Sequence, residues 1–167
     1  MTDDIYSPPE SDPQNETGNN ASQLASKLSR LGASLIDSLI MIALVIPVMF
    51  LTGGFDQISN PEDQPSLLYN LAIAIAGIVV FVAINFKLLT SNGQTIGKKA
   101  VGIKIVTMQD ELPSLKENLL KRYAVYFIPG QVPIIGQIFS LVNVLFIFKA
   151  DQRCIHDLVG DTKVVNA

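Results

Sequence analysis

The sequence predicts an all-α integral membrane protein with two transmembrane helices, a third membrane segment broken by Pro and Gly, and a small cytoplasmic β-ribbon. Hydrophobic residues make up 49% of the 167 residues, the mean hydropathy is +0.37, and the apolar residues form three runs, at 31–51, 67–89 and 123–148. Each run is long enough to cross a hydrocarbon core of about 30 Å, whereas a soluble domain spreads its apolar residues over shorter amphipathic elements. The lipid bilayer is therefore an expected partner.

The segment before the first run, residues 1–24, is predicted to be a disordered acidic tail. Its first 20 residues contain five acidic side chains and no Lys or Arg, and they are rich in Pro, Asn and Ser, a composition that has little to bury. Without these five, ten acidic residues stand against 12 basic ones, so the net charge of −3 reflects the tail. The start lacks the basic and apolar regions of a cleaved signal peptide. We therefore expect the first run to stay as an anchor in a membrane domain at 25–165.

The charges outside the runs predict the orientation of the first two spans. Lys27 and Arg30 precede the first run, the loop at 52–66 carries three acidic residues and no basic one, and residues 87–122 include seven Lys or Arg. Because basic residues are enriched in cytoplasmic loops, the N-terminus and the basic segment are predicted to be cytoplasmic and the acidic loop to face outward. The expected location is a cell membrane, with several passes.

The third run, 123–148, is predicted to be broken rather than a regular span. Its helix-breaking residues are Pro129, Gly130, Pro133 and Gly136. A single crossing would put the basic residues that follow the run outside, against the charge rule. We therefore favour a re-entrant hairpin, with a short helix before the prolines and a longer one from about 134 to 148. A single kinked and tilted span is the alternative.

Two further elements are predicted on the cytoplasmic side. The segments VGIKIVTM at 101–108 and GDTKVVNA at 160–167 resemble short β-strands, and we expect them to pair as the ribbon. Between them, SLKENLLKRY begins with Ser114 and has Glu117 three residues later, which is the spacing of a capping box. An amphipathic helix is therefore predicted to lead into the third run.

The most informative residue for function is Asp37, which lies inside the first apolar run. A carboxylate at membrane depth usually faces protein or a water-filled cavity and is paired. Arg30 precedes it by seven residues, so the two share a helix face but are separated by about 10 Å along the axis. The partner of Asp37 is therefore expected from another segment. Arg122 and Arg153 are the two candidates, and the sequence does not choose between them.

Four pieces of sequence together resemble the RDD family of membrane proteins. They are Arg30, Asp37, GQTIGKKAVGIKIV at 93–106 and RCIHDLVGDTKVV at 153–165. The family is named for one arginine and two aspartates, and by motif the second aspartate is Asp157. The resemblance covers about 26–165 and implies an involvement in transport, without a general activity. One departure is Asp161, which stands between Gly160 and Thr162 where the family usually has Gly-Thr, so the local turn is expected to differ.

Two functions are consistent with these residues. In the first, Arg30, Asp37 and Asp157 form an ion or ligand pathway for transport or cation/proton exchange, because membrane carboxylates commonly serve this way. In the second, the same residues form a buried ionic staple in a structural or assembly module. The possible supporting residues are Arg122, Arg153 and His156. Two or three spans are too few to enclose a pathway, so transport would require a homo-oligomer or a membrane partner protein.

Other classes of function have little support, and we expect no enzyme activity, cofactor, metal or nucleic-acid partner. His156 is the single histidine of the chain, and it cannot build a multi-histidine metal site. The GQTIGKK segment lacks the spacing and the Ser or Thr of a phosphate loop. We expect its Lys98 and Lys99 to lie against anionic headgroups. The lone Cys154 is expected to pack as a small hydrophobic residue.

Overall fold

The computed structural model describes residues 22–55, 66–132 and 135–167. The predicted tail lies outside these residues except for its last three positions, and so does most of the predicted acidic loop. The architecture is mainly helical with one two-stranded sheet. The helices and strands are numbered below in chain order.

Two long helices dominate the fold: α1 at Lys27–Leu51 and α2 at Leu67–Asn92. Each begins at a serine N-cap, because the hydroxyls of Ser26 and Ser66 accept backbone N–H groups of the first turn. In the most apolar window of each helix, 0% and 6% of residues are buried within the chain. The helices therefore present their apolar surface outward, and both are long enough to cross a membrane.

The helices α1 and α2 run antiparallel and are connected at both ends. The hydroxyls of Thr52 and Tyr69 lie 2.9 Å apart where α1 ends and α2 begins. At the opposite end, α1 packs against the short helix α3 at Ile96–Ala100, which follows α2 directly. The polar residues that follow α2 are thereby brought to the first half of α1.

A tight turn at Gly93 makes this return possible. Gly93 ends α2 in the left-handed conformation, with φ 66°, and its carbonyl accepts a hydrogen bond of 2.8 Å from the N–H of Ile105. A Cβ at Gly93 would also collide with the carbonyl oxygen of Ile105. Glycine is therefore required both by the backbone conformation and by the close approach of the following strand.

The predicted β-ribbon is present. Strand β1 at Ile103–Thr107 pairs antiparallel with β2 at Thr162–Asn166, with Ile105 opposite Val164. Leu24 adds an isolated bridge to Val165, so the N-terminal end of the described chain is joined to the ribbon. The side chains of this ribbon that face inward join the core cluster, whose buried members are Ala25, Ala33, Phe81, Leu89, Ile103, Ile105, Leu119 and Val164.

The helix predicted to begin at Ser114 is present, but its first turn, Leu115–Leu119, is a π-helix. The Ser114 hydroxyl accepts the N–H of Glu117 at 3.2 Å, as the capping box requires. The N–H of Ser114, however, donates to the Asn118 side chain at 3.0 Å instead of to Glu117. The second hydrogen bond of the predicted capping box is therefore made by Asn118 instead of Glu117. The chain then continues into α4 at Leu120–Phe127.

The third apolar run consists of two short helices. After α4 come a 3₁₀ turn at Pro129–Gln131 and then α5 at Ile135–Leu145, which ends in a second 3₁₀ turn. The 11 residues of α5 span about 16 Å, roughly half of a bilayer core. A Cβ at Gly136 would collide with the carbonyl of Pro129, so the two arms are closely apposed at the break. Their position relative to a bilayer stays a prediction.

Candidate functional site

A cavity of about 280 Å³ lies at the Arg30 end of α1. Its charged or titratable lining includes Arg30, Asp37, Lys98, Arg122, Cys154, His156 and Asp157. Both arms of the third apolar run reach it, through Tyr123 on one side and Asn143 on the other. Residues near both ends of that run therefore lie at the same cavity. Of the six residues singled out from the sequence, five line this cavity and Arg153 does not.

Asp157 is the most deeply buried of the predicted site residues. It lies in the first turn of the helix α6, at Ile155–Val159, and its side chain is 1% exposed. One carboxylate oxygen forms an ion pair with Nη1 of Arg122, and the other accepts the N–H of Cys154 at 3.0 Å. The Nη1 atom of Arg30 lies 3.9 Å away. The carboxylate is thus both paired and hydrogen-bonded, as a buried charge must be.

Arg30 is used mainly to hold backbone. Its Nε donates to the carbonyl of Ala25 at 3.2 Å, Nη1 to Gln152 at 2.5 Å and Nη2 to Val164 at 2.7 Å. The residue is buried, with 6% exposure. Because these carbonyls belong to three separate stretches of chain, Arg30 joins the beginning of α1 to the segment before α6 and to β2.

Asp37 has different partners from those expected. Its two carboxylate oxygens accept hydrogen bonds from the hydroxyl of Thr95 at 2.5 Å and from the backbone N–H of Gly97 at 2.7 Å. The expectation that Arg122 or Arg153 neutralises it is therefore wrong. The donors are neutral groups at the start of α3, since that helix directly abuts α1 at this level.

The GQTIGKK segment is built to reach Asp37. Thr95 caps α3, because its hydroxyl oxygen accepts the N–H of Lys98 at 3.2 Å while its hydrogen goes to Asp37. The N–H of Ile96 donates to the buried side chain of Asn85 at 2.9 Å. A Cβ at Gly97 would collide with α1. Sequence reasoning missed this contact, although a Thr and a Gly at a helix start offer donors that an unpaired carboxylate needs.

Lys98 points inward. It lines the cavity, whereas its neighbour Lys99 is exposed, so the expectation that both lie against headgroups is wrong for Lys98. Burial lowers the pKa of Lys98 to about 8, the positive charge of Arg122 lowers it further, and the charge of Asp37 opposes the shift. The ammonium lies within 4 Å of no carboxylate in the described part of the chain.

His156 and Cys154 complete the wall near Asp157. The ring Nδ1 of His156 lies 2.9 Å from the amide nitrogen of Asn143, and the N–H of Ile155 donates to the amide oxygen of Asn143 at 2.9 Å. Burial, then the charges of Arg122, Lys98 and Arg30, hold the pKa of His156 well below its usual value. Burial likewise raises the pKa of the Cys154 thiol. Both groups are therefore neutral near pH 7.

The side-chain donors of Cys154, His156 and Asp157 lie within 4.8 Å of one another. These residue types could in principle hold a metal ion. However, the Asp157 carboxylate is already paired with Arg122, and the surroundings are cationic. Electrostatic repulsion therefore disfavours a metal cation at this position.

Arg153 lies outside the cavity and supports the turn into β2. It donates to the carbonyl of Thr162 at 3.0 Å and to the carbonyl of Asp157 at 3.3 Å, and it lies 3.4 Å from the exposed carboxylate of Asp161. Asp161 takes a left-handed conformation, with φ 49°, which aspartate tolerates better than most residues. The turn therefore accommodates Asp161 as an additional residue, and the hydroxyl of Thr162 still lies 2.8 Å from Nη1 of Arg122.

A second cavity, of about 310 Å³, also meets Asp37. It lies between α1 and α2 and extends from Asp37 to Val45 on one helix and Ile73 on the other. Ser38, together with Phe81 and Tyr126, lines both cavities as well. Asp37 therefore lies at the junction of the polar cavity and a groove that continues along the two long helices.

Comparison with known proteins identifies a family. A family model with the description RDD family matches residues 24–161, which is most of the chain and includes Arg30, Asp37 and Asp157. No curated protein and no solved structure matches the chain.

Proposed function

The chain belongs to the RDD family of membrane proteins, and on that premise we propose that it is a transport protein in which Asp37 takes up and releases a proton or a small cation. The observation that carries the proposal is the position of Asp37, which lines both the cavity at the Arg30 end of α1 and the groove between α1 and α2. A group that exchanges ions between two compartments must be reachable from both directions.

The bonding of Asp37 suits this role better than the bonding of Asp157. Thr95 and Gly97 hold the Asp37 carboxylate with neutral donors, so its negative charge is not cancelled by an ion pair among the described residues. The Thr95 hydroxyl can also rotate and accept a hydrogen bond from a protonated carboxyl. Asp157, by contrast, is paired with an arginine and is 1% exposed. In this proposal Arg30 and Asp157 hold the site in place.

The proposal includes an orientation and an assembly. Positive residues surround the cavity end of the molecule, so we assign that end to the cytoplasm of a cell membrane. Two long helices do not enclose a pathway, so a homo-oligomer or a membrane partner would complete the wall around the groove. The role needs no chemical conversion of the substrate.

The test is ion flux in proteoliposomes that contain the full chain. With a pH gradient imposed and a pH-sensitive dye inside, the unsubstituted protein should pass protons in the presence of sodium or potassium phosphate. Asp37→Asn should abolish this flux while leaving the protein folded. Asp161→Asn is the matched control, because its exposed carboxylate lies outside both cavities. An unchanged flux in folded Asp37→Asn would remove Asp37 from the mechanism.

A structural or assembly module is the second candidate, and Arg30 is the observation that favours it. Its guanidinium is occupied by three backbone carbonyls and lies beside a buried ion pair, as expected of a staple that holds one arrangement of the chain. This function predicts that folded Asp37→Asn behaves like the unsubstituted protein in every flux assay, while substitutions of Arg30 change the recovery of a partner complex.

A further inference from the structure

The charges around the polar cavity do not balance. Three cationic side chains line it, Arg30, Lys98 and Arg122, against the two carboxylates of Asp37 and Asp157. His156 is neutral near pH 7, so the described lining has an excess of one positive charge. Both carboxylates are already satisfied by protein donors. Because both carboxylates already have protein partners, the excess positive charge of the described lining favours a ligand that carries a negative group.

The excess charge is concentrated at one part of the wall. Arg30 uses its nitrogens on backbone carbonyls, but Arg122 makes both its bond to Asp157 and its bond to Thr162 through Nη1. Its Nε and Nη2 form no hydrogen bond to the carbonyls or carboxylates of the described residues, and Arg122 and Tyr123 both line the cavity. The Tyr123 hydroxyl is buried without a well-formed hydrogen bond to the described residues. Lys98 supplies an ammonium that forms no ion pair with them.

We propose that Lys98, Arg122 and Tyr123 form an oxyanion site, which binds a carboxylate or phosphate group inside the cavity. Arginine and lysine are the side chains that recognise these groups, through charge-assisted hydrogen bonds. The cavity volume of about 280 Å³ is several times larger than the roughly 30 Å³ that one water molecule occupies. A small oxyanion therefore fits. Both sources of such a group, a soluble anion and a lipid headgroup, share this chemistry.

This inference rests on the proposed function for its biological meaning: the oxyanion is the substrate, and Asp37 carries the proton that moves with it. Asp37 faces the same cavity, so protonation of its carboxylate would increase the positive charge seen by the bound oxyanion. Binding of the oxyanion and of the proton would therefore favour each other, as in symport.

The test is equilibrium binding of radiolabelled inorganic phosphate and of acetate to the full chain in an uncharged detergent, at constant ionic strength in sodium chloride. We expect saturable binding. Lys98→Gln should weaken it about tenfold or more, because a charge-assisted hydrogen bond in a buried site is lost. Lys99→Gln is the matched control, because it removes the same charge from the exposed neighbouring position, and it should bind like the unsubstituted protein.

A second arm identifies the source of the oxyanion. Phosphatidylglycerol is added in mixed micelles, with phosphatidylcholine as the control lipid. Displacement of the labelled phosphate by phosphatidylglycerol alone assigns the site to a lipid headgroup, and undisturbed binding assigns it to a soluble anion. Either outcome supports the oxyanion site.

The proposal is overturned if neither phosphate, acetate nor phosphatidylglycerol binds saturably, or if the two lysine variants lose binding equally. Should Lys98→Gln not fold, Tyr123→Phe replaces it, with Tyr69→Phe at the opposite end of the helices as control. Only the first of these two should weaken binding. The proposed function is judged separately: Lys98-dependent binding without Asp37-dependent flux rejects transport, whereas flux without binding rejects the oxyanion site.

Discussion

The carboxylate of Asp37 and the hydroxyl of Thr95 lie 2.5 Å apart, although 58 positions separate them in the sequence. This hydrogen bond joins the inner part of α1 to the short helix that follows α2. Because the same hydroxyl oxygen caps α3, one side chain both begins that helix and orients the carboxylate. The GQTIGKK segment and Asp37 are therefore parts of one structure.

Replacement of Thr95 by valine tests this contact. Valine keeps the shape but removes the hydroxyl, so Asp37 loses a donor and α3 loses its cap; we expect a loss of about 1 to 3 kcal/mol in the free energy of unfolding. Thr95→Ser should retain most of the stability because it keeps the oxygen. Denaturant unfolding in detergent measures the difference. Equal midpoints for the valine and serine variants would contradict this account.

Gly97→Ala should separate α3 from α1. A Cβ at this position would collide with the carbonyl oxygen of Ala33 and would lie 2.8 Å from the carboxyl carbon of Asp37, and backbone cannot yield as a flexible side chain does. Overpacking of this kind costs about 1 to 3 kcal/mol. Gly77→Ala is the control, since nothing lies within 4 Å of its Cβ, and in a helix it should be neutral or stabilising. Thermal unfolding of the two variants checks the expected order.

The length of the apolar runs and the residue types predicted much of the fold. The two long helices and the ribbon strands lie close to their predicted positions, since apolar length and β-branched residues are local signals. The matched family model confirms the family resemblance. The partner of Asp37 could not be predicted in this way, because its donors are a neutral hydroxyl and a backbone N–H, which no charge pattern reveals.

The position of Lys98 was also not predictable from the sequence pattern. Two adjacent lysines after a membrane helix are typical of headgroup contacts, yet the turn of α3 directs one into the cavity and the other outward. The difference depends on where the helix begins, at Ile96 directly after its cap Thr95. The position of each lysine along the helical turn therefore determines which one faces the cavity, and the composition of the segment predicted this wrongly for Lys98.

Asp157→Asn should be among the most damaging substitutions. It removes the negative partner of Arg122 inside the protein and leaves a buried positive charge uncompensated, which costs about 3 to 5 kcal/mol. Asp161→Asn is the comparison, because it also removes a carboxylate next to an arginine but its side chain is 69% exposed, and we expect a change of about 0 to 1 kcal/mol. Unfolding of both proteins at pH 7 measures the gap. Similar losses for the two would show that burial of the Asp157 pair carries no energetic weight.

Acidification should destabilise the protein through His156. Its pKa is held well below 6.5 in the folded state, so below pH 6.5 the unfolded chain binds a proton that the folded chain excludes. Stability therefore rises with pH in this range and is lost on acidification, by about 1 kcal/mol per pH unit between 6.5 and 5.5. Melting temperatures at pH 7.5 and 5.5 should differ less in His156→Gln than in the unsubstituted protein. An identical pH response in the variant would assign the effect to other groups.

At alkaline pH, Lys98 should also make the folded protein more stable as the pH rises, as His156 does at acidic pH. Its pKa is about 8 in the folded state, against 10.5 in the unfolded chain. Between these values the unfolded chain keeps a proton that the folded chain has released, so stability should rise as pH increases from 8 to 9.5, on the order of 1 to 2 kcal/mol. The measurement is the difference between the unfolding free energies at the two pH values, in the unsubstituted protein and in Lys98→Gln and Lys99→Gln. The rise should vanish in the first variant and persist in the second, because Lys99→Gln leaves the ammonium of Lys98 in place. A rise that persists in Lys98→Gln would mean that Lys98 is not a buried charge, and the oxyanion site would lose one of its three groups.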